Sequence, residues 1–194
     1  RLKNNIMALL SKQELKDVFM GLATLYVVKG GISSFTSITP DFDMPVTVDS
    51  LSMTQDAPTL NHYKVHGLQS DWAVSATPGD FNFSATVPSV HKSLVNYFMG
   101  ESNAIATSTI NGVAYEGVSA TMNSVKLNMG LVLVSEDGVH AIVVKKMAVY
   151  ATPNYENGST TPFAFTLTGS IEVEDSVEGG SSDDQIAFLT KKAS

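Results

Sequence analysis

The chain has 194 residues and no cysteine; hydrophobic residues make up 43% of it, charged residues only 16%, and the formal net charge at pH 7 is −7. This length fits one domain with a sizeable hydrophobic core, and the lack of cysteine excludes disulfides and thiolate metal sites. The acidic balance argues against a tight binder of DNA or RNA, because that affinity comes mostly from Lys and Arg neutralising phosphates.

The N-terminal segment predicts a short helix. Ser11 and Glu14 have the spacing of a capping box, and the helix is expected to end near Gly21. The apolar patch at residues 6–10 is too short for a signal-peptide core, and no apolar run approaches the roughly 18 residues of a membrane span. We therefore expect a soluble, intracellular protein without a membrane anchor.

A predicted strand at residues 24–28 leads into a long polar segment, residues 30–45. This segment is rich in Ser and Thr and contains two prolines, and long ordered loops of this kind usually carry function or make contacts. Four apolar residues are spaced along it: Ile32, Phe35, Ile38 and Phe42. The segment either contacts a neighbouring molecule or folds back on its own domain.

The middle of the chain contains a change from strand to helix periodicity. Residues 46–54 are a strand candidate, and residues 63–72 have moderate strand character. Phe81, Phe83, Ala85 and Val87 then alternate with polar residues, as in a strand with one buried face. From residue 89 apolar residues recur at helical spacing, so we predict a helix over residues 89–99 that caps the sheet.

The second half of the chain is predicted to form further strands. Mixed strand signals occupy residues 113–127, and Asp137-Gly138 between two apolar β-branched runs predicts a hairpin. Phe163, Phe165 and Leu167 alternate in a strand expected to continue to residue 173. Six acids and no base follow from Glu172 to Asp184, which indicates a solvated linker, and residues 186–189 form a short apolar patch suited to docking.

Residues that could carry chemistry do not form a recognisable motif. His62 and His66 have the four-residue spacing of a zinc helix, but no Glu follows His62 and the helical pattern is missing. Asp41 and Asp43 lack the remaining ligands of a calcium loop, and no glycine-rich phosphate loop occurs. We expect no cofactor, no metal and no enzymatic activity.

Taken in order, four segments resemble those of a phage major tail (tail-tube) protein, whose fold is shared with the type VI secretion tube. The resemblance covers roughly residues 22–175. The segments that carry it are VTVDSLSMTQDAPTLNHYKVHG, GDFNFSATVPSVHKSLVNYFMG, LVLVSEDGVHAIVVKKMAVY and TPFAFTLTGSIEVED.

The resemblance implies a mainly β fold: an antiparallel β-barrel or sandwich with one flanking α-helix, preceded by the short N-terminal helix. The corresponding division is an N-terminal arm at residues 1–21, the barrel domain at residues 22–175, and an acidic linker with a C-terminal tail at residues 176–194. Subunits of this kind form six-membered rings that stack into a hollow tube. Its implied location is the tail of a virion assembled in the host cytoplasm.

The same resemblance implies particular partners. These are further copies of the chain, other tail proteins, and DNA that passes through the tube without specific binding. In this setting Ile32, Phe35, Ile38 and Phe42 are expected to contact the neighbouring ring. Two alternatives stay open: another ring-forming tail component, such as a terminator or connector, and a monomeric β-barrel that binds a small ligand in its interior.

Overall fold

The computed structural model describes residues 18–22, 24–100, 105–121, 123–156, 160–172 and 184–192. One helix and twelve strands occur in these ranges. The strands before the helix are β1 Thr24–Lys29, β2 Phe42–Asp43, β3 Ser52–Gln55, β4 Thr59–Tyr63, β5 Ala73–Thr77 and β6 Phe81–Val87. The helix is α1 Lys92–Phe98, and the strands after it are β7 Ile105–Ile110, β8 Val113–Val118, β9 Lys126–Val134, β10 His140–Asn154, β11 Ala164–Ile171 and β12 Ile186–Thr190.

Eight strands form one antiparallel sheet in the order β2-β1-β9-β10-β11-β6-β3, with β12 also paired to β10. The remaining strands form two separate two-stranded ribbons, β4 with β5 and β7 with β8. The mainly β prediction with antiparallel pairing and a flanking helix is therefore confirmed. The predicted N-terminal helix falls outside the described residues over 11–17, and residues 18–21, where it was expected to end, are not helical.

One face of the large sheet carries the core. In β6 the inward residues Phe83, Ala85 and Val87 are buried, as the period-two alternation of the sequence predicts. Phe165 of β11 lies beside them in register, opposite Val87. A single cluster joins these side chains to buried residues of β1, β9 and β10, so the sheet wraps around one core.

Helix α1 covers this core. It is only seven residues long and its N-cap His91 makes no side-chain cap hydrogen bond, so packing rather than propensity stabilises it. Leu94, Tyr97 and Phe98 are buried on its inner side, and the Phe98 ring meets the Phe165 ring edge-on at 5.1 Å between centroids. The strand-to-helix transition predicted from the sequence is confirmed, with a helix three residues shorter at its start.

The predicted Asp-Gly hairpin joins β9 and β10. The Gly138 N–H donates to the Ser135 carbonyl at 2.9 Å, and Gly138 has the positive φ of +66° that favours glycine. Further along β10, an irregularity in register lies between Val144 and Met147. Three separate parts of the chain make backbone hydrogen bonds at this bulge, as described below.

Other strand predictions differ from the structure. Residues 46–54 were expected to be one strand, but β3 begins only at Ser52, because Ser50 folds back with its N–H and hydroxyl on the Thr47 carbonyl. The strand character assigned to residues 63–72 is wrong for most of that range, which connects β4 to β5. Beyond the predicted domain end at residue 175, the apolar patch pairs with β10 as β12.

Candidate assembly interface

The four residues predicted to reach a neighbouring ring lie in a segment that packs on its own sheet. Ile32 is 4% exposed, and its N–H donates to the Lys145 carbonyl at 2.7 Å. The Lys145 ammonium lies over the Phe35 ring, 4.6 Å from its centroid. Phe42 belongs to β2 and meets the Tyr97 ring edge-on at 5.6 Å, and Ile38 is half-buried.

The segment packs back on its own domain, which is one of the two arrangements that the sequence left open. Burial of Ile32 and the ring contact between Phe42 and Tyr97 give these two side chains cover within their own chain. The structure does not gather the four side chains into one exposed patch. Their contact with another ring stays a prediction.

The most exposed part of the described chain is instead a β-ribbon at residues 56–80, here called the first ribbon. It continues the β3–β6 pair outward: Gln55 lies opposite Phe81, and Thr59 opposite Thr77. The Asp56 N–H donates to the Asp80 carbonyl at 2.8 Å and links the two halves. At about 3.3 Å per residue, β4 ends roughly 25 Å beyond the last residue of β3.

The two faces of the first ribbon differ in polarity. Every residue of β4 and β5 is exposed. One face carries Leu60 and Val74, each 52% exposed, together with Ala76, and His62 lies on the same face opposite Val74. The opposite face carries Asn61 and Thr77, whose side chains are 3.4 Å apart, and the remaining residues there are mainly polar.

A second ribbon, residues 105–118, is formed by β7 and β8. Asn111 and Gly112 connect the two strands and both have positive φ, +50° and +79°, as a tight two-residue hairpin turn requires. Ile110 lies opposite Val113, and Tyr115 shares their face; all three side chains are more than half exposed. The other face carries Glu116, which pairs with Lys92 of α1 at 3.1 Å. The polar face of this ribbon therefore meets the body of the chain, and its apolar face points away.

The ribbons carry few charges. Asp71 Oδ2 lies 2.7 Å from Nδ1 of His62, so a histidine considered for metal binding pairs within the first ribbon. Trp72 beside it is among the most exposed apolar side chains of the described residues. Exposed apolar side chains with so little charge around them are typical of a surface that another protein covers.

The two ribbons were not predicted from the sequence. The Asn111-Gly112 dipeptide between two short apolar runs was an available hairpin signal for the second ribbon. The first ribbon offers no comparable signal, because its turn spans residues 64–72 and its strands are rich in Thr, Ser and Ala. A ribbon with two exposed faces also lacks the strict alternation that burial of one face imposes.

Other kinds of site find little support in the described residues. No three of their His, Asp and Glu side chains come together as metal ligands, and α1, their one helix, is too short to cross a membrane. A cleft of about 540 Å³ lies outside the core, between β2 and α1, with Phe42, Leu94 and Tyr97 along it. Phe83 and Phe165 are buried in the core cluster.

No family model matches, and no curated protein matches. Among solved structures, the chain is similar to that of the anti-feeding prophage cap, the cap that terminates the AFP tube. The two are 12% identical over 90% of this chain and 93% of that one, with a TM-score of 0.41. A likeness at this level does not indicate a shared function.

Proposed function

We propose that this chain is a structural subunit that assembles with copies of itself, and that the assembly is the tube of a phage tail. In this proposal the subunits form rings that stack into a conduit for DNA, and the mature location is the virion tail. The role is structural rather than enzymatic. The observation that carries the proposal is the apolar face on each of the two ribbons, which the described part of the chain leaves uncovered.

A two-stranded ribbon with no other element packed on it lacks the burial that would stabilise it. A two-stranded hairpin is at best marginally stable in water, because one ladder of hydrogen bonds barely offsets the entropy of ordering it. The first ribbon has no buried residue in either strand to add to that ladder. Covering its apolar face with another copy supplies the missing burial.

The ribbons are large enough for the proposed contact. A stable interface takes about 20–30 residues from each side. The first ribbon comprises 25 residues, 56–80, and the second 14, 105–118; because side chains alternate between faces, about half of them lie on the apolar faces. Contact through the apolar faces of both ribbons therefore reaches about the lower end of that range.

The charge of the chain suits a conduit for DNA. A net charge of −7 provides few cations to retain phosphates, so a passage built from this chain lets DNA move without holding it. The ribbons follow the same trend, with Lys64 as the single Lys or Arg in the two of them. We propose DNA as cargo and further copies, with other tail proteins, as partners.

A terminator or connector made of the same kind of ring is the closest competing role. Its subunits also need an assembly surface, but they form one ring and stop. The ligand-binding barrel is the less favoured alternative, because Phe83 and Phe165 are buried in the core cluster and a ligand needs a cavity there.

Electron microscopy of the purified protein at increasing concentration separates these roles. The proposal predicts rings at intermediate concentration and stacked tubes at high concentration. Single rings that never stack would support the terminator or connector instead. Particles of monomer size at every concentration would overturn self-assembly altogether.

A further inference from the structure

The last strand of the large sheet, β12, lies in line with β11 along the same side of β10. Strand β11 lies along the second half of β10, with Ile171 opposite Met147. Strand β12 lies along the first half, with Ile186 opposite Val144, while β9 pairs with the other side of β10 from Ala141 to Tyr150. Since β11 and β12 both run antiparallel to β10, β12 prolongs β11 in the same direction.

Strand β11 ends and β12 begins at almost the same point along β10. The Glu172 N–H donates to the Lys146 carbonyl at 3.1 Å, and the Lys145 N–H donates to the Gln185 carbonyl at 2.9 Å. Lys145 and Lys146 are neighbours at the bulge of β10, so their Cα atoms are about 3.8 Å apart. Twelve residues, 173–184, lie between Glu172 and Gln185, and a chain of that length spans about 40 Å when extended. The connection is far longer than its two ends require.

Strand β12 packs little against the described part of its own chain. Its pairing with β10 is a five-residue backbone ladder, and of its side chains Ile186 joins the edge of the core. Phe188 is 78% exposed and Leu189 is 42% exposed. The contacts that hold β12 are therefore mostly backbone hydrogen bonds, which β10 of any other copy offers equally.

We propose that β12 is exchanged between copies, so that in the assembly it pairs with β10 of a neighbouring copy of this chain. This rests on the self-assembly proposed above. Exchange of an identical element keeps the same contacts, so it has little energetic cost once a second copy is close. The length of residues 173–184 allows the reach, and an assembly holds neighbours at a high effective concentration. Between two copies, Phe188 and Leu189 gain cover that the described part of one chain does not give them.

The absence of native cysteine makes a direct test possible. Ala141 and Leu189 are opposite one another in the β10–β12 ladder. One batch of chain carries Ala141→Cys and another carries Leu189→Cys; the two are mixed as unfolded chains, refolded together, assembled and oxidised. Exchange predicts a disulfide-linked pair of chains, identified by mass spectrometry of the joined peptides. A matched pair of batches carries Ala148→Cys and Ser170→Cys, which are opposite in the β10–β11 ladder that stays within one chain.

Each outcome decides the proposal. A linked pair from the first mixture but not from the second supports exchange. Assemblies without a linked pair overturn exchange and leave self-assembly standing. Linked chains without rings or tubes support exchange and contradict the tube. Equal linking in both mixtures indicates random collision and also overturns exchange.

Discussion

At the scale of single residues, Gly130 reports whether residues 30–45 pack on the sheet. A Cβ added to Gly130 of β9 would lie 2.5 Å from Cγ1 of Ile32 and 2.9 Å from the Lys145 carbonyl oxygen. Overpacking of this kind typically costs about 1–3 kcal/mol. We expect Gly130→Ala to lower the free energy of unfolding by that amount in urea titration.

Gly117 provides the matched control for this substitution. It also lies in a strand, but an added Cβ there meets no atom within 4 Å. Gly117→Ala is expected to change the stability of the chain by less than about 0.5 kcal/mol. Equal stability of the two variants would show that Ile32 does not occupy the space above Gly130.

Asp137 makes the hairpin between β9 and β10 sensitive to acid. The Ser135 hydroxyl donates a hydrogen bond to its carboxylate, the Val139 N–H donates another at 2.9 Å, and together they lower the pKa of Asp137 below its usual 3.8. A lowered folded-state pKa stabilises the fold fully above the unfolded pKa. That contribution disappears as the pH falls through the folded-state value.

The corresponding test is thermal unfolding between pH 5 and pH 2. Asp137→Asn is expected to lose less stability than the parent chain over this range, because its side chain has no proton to take up. An unchanged pH dependence in Asp137→Asn would contradict the role of these hydrogen bonds.

Burial of individual residues was predictable where it depends on local alternation. Phe83 and Phe165 were assigned to buried faces from the residues beside them, and both fill the core. Ile32 was not, because its cover comes from Gly130 and Lys145, roughly a hundred residues away. Such long-range contacts leave no periodic trace in the sequence.

At the scale of elements, the first ribbon is expected to open easily until another copy covers it. In dilute protein the amides of β4 and β5 should exchange with deuterium much faster than those of β9 and β10, since stability follows buried contacts. At assembling concentrations the same ribbon amides should become protected. The β9–β10 pair is the internal control, because it lies in the core sheet at both concentrations.

Hydrogen-exchange mass spectrometry of the two samples checks this expectation. Strong protection of β4 and β5 in the dilute sample would mean that the ribbon is stable alone and needs no cover. Unchanged fast exchange at high concentration would mean that another copy does not bind there. Either result would contradict the proposed interface.

Elements that begin or end at a recognisable local sequence signal were predictable. Asp137-Gly138 indicated the β9–β10 hairpin, and the helical spacing of apolar residues from residue 89 indicated the step from β6 to α1. Asn111-Gly112 carried an equally clear signal that was missed. The first ribbon could not be recognised, because what defines it is exposure on both faces, and exposure depends on where the rest of the chain lies.

At the scale of the whole molecule, the fold leaves two kinds of surface for other copies. The apolar ribbon faces need cover, and β12 needs only a β10 to pair with. The mainly β class and the flanking helix followed from the sequence, whereas the ribbons and the return of β12 to the sheet did not. The proposed self-assembly uses both kinds of surface, and the second ribbon allows this self-assembly to be tested with matched variants.

Sedimentation velocity over a concentration series tests self-assembly through the ribbons most directly. One variant carries Val113→Ser and Tyr115→Ser on the apolar face of the second ribbon, and its control carries Thr109→Ser and Ala114→Ser on the opposite face. Both pairs are exposed, so both chains are expected to fold, which circular dichroism verifies. The parent chain and the control are predicted to form large species as concentration rises, while the apolar-face variant stays monomeric. Assembly of all three to the same extent, or of none, would contradict the proposed interface.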